Sequence, residues 1–119
     1  MSCGPPYVDL PCVYKGETWD GLTWKINSTD STEFDAVLSG SKFQIKDSNG
    51  SAILTLTSAT PGEVTLNVTS PREWSVTVES RILTIDAGVY SWALETTDVH
   101  GRIKTRLIGG LKINADNTL

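Results

Sequence analysis

One histidine, His100, and two cysteines, Cys3 and Cys12, bound the nucleophilic and metal chemistry open to this chain. A Ser or Cys nucleophile needs a base that is itself oriented by a third group. The sole imidazole sits in the turn Asp98-Val99-His100-Gly101, with no nucleophile patterned around it. It reads as a structural turn residue. Asp20, Asp30, Asp35, Asp47, Asp86 and Asp98 mostly fall in predicted turns, where carboxylates satisfy nearby backbone amides. A glycosidase pair would need two of them facing one another across a cleft, and their spacing indicates none. Asp47-Ser48-Asn49-Gly50 has the opening of a calcium loop, but the later ligands are missing. Zinc needs more ligands than the N-terminal end offers. Cys3 and Cys12 are either two free thiols or a disulfide closing a small loop around Pro5 and Pro6. The expectation is a protein that is not an enzyme, with no cofactor and no metal.

What remains is binding through surface side chains. Arg102, Lys104 and Arg106 alternate along one segment, so a strand there places them on one face. That face is either an ordinary solvated one, paired with acids such as Glu95, or a basic patch for an acidic partner. Of the four tryptophans, Trp24, Trp74 and Trp92 share phase with the apolar residues of their strands, and core is their default. Trp19 is out of phase with Leu22 and Trp24. It reads as packing across a bulge, an interface anchor or a sugar platform. Trp19, Tyr7, Arg102, Lys104 and Arg106 are therefore the expected partner-binding residues. Asn27-Ser28-Thr29 and Asn67-Val68-Thr69 match the glycosylation pattern, and in a Ser/Thr-rich chain they read as chance matches.

The elements that must position these residues are strands. Residues 88–113 form the clearest hairpin, with Tyr90, Trp92 and Leu94 inward on one arm. Ile103, Leu107, Leu111 and Ile113 are inward on the other, with Thr105 and Gly109 between them. Asn49-Gly50 between two alternating runs predicts a tight hairpin turn, because both residues tolerate positive φ. Further strands are expected around residues 12–17, 18–26, 42–47, 52–57, 63–69 and 74–78, with 81–85 either strand or helical turn. Asp20-Gly21 marks a bulge or change of face. Residues 27–33 read as a loop, and Phe34 to Leu38 as a crossing segment that caps the core. This is an antiparallel β-sandwich of about seven to eight strands. Residues 1–11 form an extended arm, 12–114 the sandwich domain, and 115–119 a polar tail.

The 119 residues suffice for one domain with a real core, and the composition is 39% hydrophobic and 20% charged. No apolar run is long enough to span a bilayer, so no membrane partner is expected. A net charge of −4 argues against general nucleic-acid binding. No secretory signal is evident.

Two blocks carry a resemblance. One is Phe43-Gln44-Ile45-Lys46-Asp47-Ser48-Asn49-Gly50. The other runs from Ala87-Gly88-Val89-Tyr90-Ser91-Trp92-Ala93-Leu94 through Asp98, Gly101, Ile103, Thr105, Leu107 and Gly110 to Ile113. Their order resembles a family of small proteins of tailed bacteriophages and prophages. The resemblance spans residues 15–114 and implies an all-β, immunoglobulin-like fold. It further implies a non-enzymatic structural or adaptor role in the tail or baseplate of a virion, with other virion proteins as partners and a homo-oligomer in the particle. The final glycine falls one place late, at Gly110 beside Gly109, which implies a bulge there. The alternative is a carbohydrate-binding or adhesive sandwich using Trp19, Tyr7 and Tyr14.

Overall fold

The computed structural model describes residues 7–27, 38–70 and 73–115. The expected loop at 28–33, the crossing residues Phe34 and Val37, Cys3 and the last four residues of the tail lie outside these segments. The strands are β1 (Val13–Tyr14), β2 (Thr18–Trp19), β3 (Leu22–Asn27), β4 (Leu38–Lys46) and β5 (Ala52–Thr57). They continue with β6 (Val64–Ser70), β7 (Glu73–Val78), β8 (Arg81–Ile82), β9 (Gly88–Asp98) and β10 (Ile103–Asn114). One sheet has the order β1-β10-β9-β4-β5, a second β3-β7-β6, and β2 pairs with β8. The fold is all-β. It is not purely antiparallel, because β1 runs parallel to β10.

Alternation decides which side chains meet. Phe43, Ile45, Leu56, Leu94, Leu107, Leu111 and Ile113 of the five-stranded sheet are buried, as are Val64, Trp74, Val76 and Val78 of the three-stranded one. A row of aromatics, Trp19 on Phe43 at 5.5 Å and Phe43 on Trp92 at 5.7 Å, runs through this core. Trp24 meets Trp74 edge-on at 5.4 Å.

The change of direction at Asp20-Gly21 separates β2 from β3. Gly21 has φ +84, and a Cβ there would lie 2.1 Å from the Val78 carbonyl oxygen, so only glycine fits. The break sets Trp19 in a strand of its own, paired with Arg81. The segment 81–85 is extended at β8, and Leu83 beyond it is buried.

Candidate functional site

An N-terminal segment and the last strand meet along one edge of the five-stranded sheet. Residues 7–10 lie along the outer edge of β10. Val8 N–H donates to the Ile108 carbonyl at 2.8 Å, and Leu10 N–H to the Gly110 carbonyl at 3.0 Å. Tyr7 bridges Ile108 in parallel register, and β1 continues the pairing at Val13 with Ile113. Between those two points the arm advances six residues and β10 five, so the arm carries one extra residue, in the stretch that includes Pro11.

The Gly109-Gly110 pair makes this seat. A Cβ on Gly109 would stand 1.6 Å from the Val8 carbonyl oxygen and 2.7 Å from Trp92 Nε1. The bare backbone lets the arm come close enough for Trp92 Nε1–H to donate to that carbonyl at 3.1 Å. Gly110 N–H donates to Asp9 Oδ1 at 3.2 Å. The Tyr7 hydroxyl donates to the same carboxylate, and this hydrogen bond, with the negative charge itself, raises the phenol above its ordinary range. Trp92 is only 2% exposed and stands against Phe43, so one hydrogen bond ties an exposed arm to the aromatic row of the core.

The arm is held lightly. Its four hydrogen bonds contribute about 1 kcal/mol each. Half-burial of Leu10 adds about 1 kcal/mol. Ordering four residues costs about 4–8 kcal/mol. The two sides are within a few kcal/mol of balance.

The expected partner-binding residues do not converge. Tyr7 is exposed, at 65%, on the arm. Trp19 is 4% exposed and stacked on Phe43, so it is a core side chain and not a surface platform. It looked out of phase with Leu22 and Trp24 because it belongs to a different strand. The three cations do not share one outward face. The register of β10 against β9 slips between Thr105 and Leu107, so Arg106 is the extra residue of a bulge. Its Nε–H donates to the Thr96 hydroxyl at 2.9 Å, and its guanidinium lies 4.9 Å from the centre of the Trp74 ring. Arg106 therefore turns between the sheets. Arg102 pairs with Asp98, Nε to Oδ2, at 2.8 Å, while Lys104 is exposed. The same slip reverses Ile103, expected inward: it stands 66% exposed opposite Thr97. The bulge in the final strand sits at Arg106 and not at Gly109-Gly110, whose role is to seat the arm. A glycine inside a strand signals either a bulge or a close backbone approach, and here it is the approach.

The turn carboxylates are occupied by backbone. Asp47 Oδ1 accepts from Asn49 and Ser51 N–H at 2.9 and 3.0 Å, which leaves that oxygen no calcium role. Among the described residues no non-glycine residue has positive φ, and in the hairpin turn expected at Asn49-Gly50 only Gly50 takes that conformation, with Asp47 organising the turn. Asp98 Oδ1 accepts from His100 and Arg102 N–H at 2.8 and 3.0 Å. Burial alone would push the Asp98 carboxyl up. The hydrogen bonds from the Arg102 and His100 amides and the Arg102 guanidinium outweigh it and hold the group below its ordinary range. Among the described residues no three His, Cys, Asp or Glu side chains gather to hold a metal, and no catalytic constellation forms. No helix among them is long and apolar enough to cross a membrane. Cys12 is exposed.

Sequence reasoning missed Val8, Asp9 and Trp92 as a contact set. The signal available was the glycine pair, together with an arm whose pairing partner lies about a hundred residues away in the chain.

Neither a scan against protein-family models nor a search of curated proteins finds a match. Among solved structures the chain is similar to the crystal structure of CopC from Methylosinus trichosporium OB3b. The identity is 14%, covering 90% of this chain and 87% of that one, with a TM-score of 0.42. This corrects the resemblance to tailed-bacteriophage proteins. No phage family matches, and the likeness is to CopC and not to a tail or baseplate protein. The structural or adaptor role in a virion, the virion partners, the homo-oligomer in a particle and the virion location fall with it. At this identity and TM-score the likeness assigns no ligand to the chain.

Proposed function

We propose that this protein is a non-catalytic recognition module with an immunoglobulin-like strand arrangement, which binds a protein partner along the outer edge of its five-stranded sheet. Residues 12–114 form the domain in this reading, 1–11 the arm and 115–119 the tail. The observation that carries the proposal is the strand order, β1-β10-β9-β4-β5 against β3-β7-β6. It supports an A′-G-F-C-C′ sheet facing a B-E-D sheet, the variable-type layout with its first strand parallel to its last. A hydrogen bond of 2.5 Å from the Tyr90 hydroxyl to the Asp86 carbonyl, at the entry to β9, supports it further. That is the tyrosine corner of such sandwiches. Sandwiches of this layout recognise partners through edges and loops while the core stays inert.

Arg102 and Lys104 are the residues this reading places at the partner contact, and Tyr7 marks the stretch of edge beside it. Tyr7 stands where the arm meets Ile108, and the other two stand at the hairpin end of the same strand. Trp19 and Arg106 support the contact from within. The test is selection of binders from a displayed random-peptide library. The native chain is expected to select peptides, and Lys104→Glu to lose most of that binding while keeping native tryptophan circular dichroism. A folded native chain that selects no peptide above background overturns the reading.

A further inference from the structure

We propose that the seat formed by Gly109, Gly110 and the Trp92 indole is a strand-receiving site. Residues 7–10 occupy it in cis, and an extended segment of a different protein replaces them in trans. This rests on the recognition reading above and names its site. The geometry defines the occupant. It must be extended and, like the arm, run parallel to β10, with amides that donate to the Ile108 and Gly110 carbonyls. Its backbone must lie directly over Gly109, where a Cβ would stand 1.6 Å from the arm's carbonyl oxygen. The carbonyl placed there accepts from Trp92 Nε1–H. The next residue must carry a short carboxylate, because Gly110 N–H is met by Asp9 Oδ1 and not by a main-chain oxygen. An apolar residue follows, in the place of the half-buried Leu10. The partner motif is thus any residue, then Asp, then an aliphatic one, in an extended stretch.

The arm shows that this chemistry fits, and its own fit is loose. Tyr7, Val8 and Asp9 are exposed, so of the four arm residues Leu10 alone uncovers apolar surface when it leaves the seat. When they leave, the Trp92 indole N–H, itself almost fully buried, loses its acceptor. The Gly110 amide and the Ile108 and Gly110 carbonyls lose their partners as well. Buried donors without acceptors are costly, so the vacated edge favours any strand that restores these bonds.

The experiment uses the full chain and a labelled synthetic peptide, Gly-Pro-Pro-Tyr-Val-Asp-Leu-Pro, copying residues 4–11. Val8→Pro with Asp9→Ala weakens the arm and leaves β10 untouched. This variant is expected to bind the peptide at least about ten-fold more tightly than the native chain, in which the arm competes. Adding Gly109→Val is expected to abolish binding. Tryptophan near-ultraviolet circular dichroism reports whether each variant is folded. In the native chain the Val8 and Leu10 amides are expected to exchange with solvent well before the amides of β9. A folded arm variant that binds the peptide no better than the native chain overturns the proposal, as does exchange of Val8 and Leu10 only by global unfolding. A native chain that runs as an arm-exchanged dimer would put a second copy in the site and overturn its assignment to a different protein. If library peptides bind but neither the arm variant nor Gly109→Val alters their binding, this inference fails and the recognition reading survives.

Discussion

Two hairpin turns in this chain follow one plan, Asp47-Ser48-Asn49-Gly50-Ser51 and Asp98-Val99-His100-Gly101-Arg102. In each, the glycine amide donates to the carbonyl of the aspartate at 3.0 Å, and the aspartate amide donates to the carbonyl of the fifth residue at 3.0 Å. In each, one carboxylate oxygen accepts from the third and fifth amides. The glycines have φ +82 and +79. The difference lies around them. Asp98 is buried, its second oxygen holds Arg102, and its carbonyl accepts from the Ser39 hydroxyl at 3.0 Å. The first turn closes a hairpin at an exposed end of the sheet. The second closes a hairpin and also anchors the end of β9 to β4. Local turn chemistry is shared, and what is added by the neighbouring strand makes one turn a structural joint.

Substituting the two aspartates gives the largest expected separation. Asp98→Ala removes the carboxylate that pairs with Arg102 and accepts from the His100 and Arg102 amides. It should lower Tm roughly twice as far as Asp47→Ala, since both lose charge-assisted bonds to two amides and only the buried Asp98 also loses a pair with an arginine. Equal Tm losses would mean that the burial and the ion pair add nothing. The glycines should behave alike. Nothing lies within 4 Å of a Cβ built at Gly50 or Gly101, so each Gly→Ala should cost only the backbone term, about 1–2 kcal/mol in urea denaturation. A large difference between them would show that the second turn is strained by its surroundings.

Acid titration sharpens the comparison further. The Asp98 carboxyl is depressed when folded, so it binds its proton less readily than in the unfolded chain. Its stabilisation is present above the ordinary aspartate range and is lost as pH falls through that range towards the folded value. Asp98→Asn should flatten this part of the stability profile, and a profile unchanged by the substitution would remove the electrostatic account. Arg102→Lys should give the smallest shift, since it keeps the charge and loses the guanidinium's fixed geometry. A Tm loss as large as that of Asp98→Ala would show that the geometry of the pair matters more than the bonds from the backbone amides.

The core was legible because alternation survives wherever strands are unbroken: Phe43 and Ile45, Trp74, Val76 and Val78, Trp92 and Leu94 all point where period two puts them. It failed at one residue. The bulge at Arg106 shifts the phase of everything before it in β10, and a one-residue slip exchanges the two faces of a strand. That sent Ile103 outward and Arg106 inward. Trp19 was misread for a related reason, since Gly21 divides what the pattern treats as one strand. The seat of the arm was not legible as a site. Its parts lie at opposite ends of the chain, and parallel pairing leaves no turn signal to join them.

The parallel course of residues 7–15 beside 108–114 also fixes how the domain bears load. The arm enters level with Ile108 and β10 leaves at Asn114, about 20 Å further along the strand axis. Tension applied through residues 7 and 115 therefore slides the two strands past each other. It does not peel them apart one bond at a time. The amides of Val8, Leu10 and Lys15 and the β1 pairing are strained together, and rupture requires several to fail at once. The same contacts that are weak against displacement by a competing strand are thus collectively stiff against a pull along the chain.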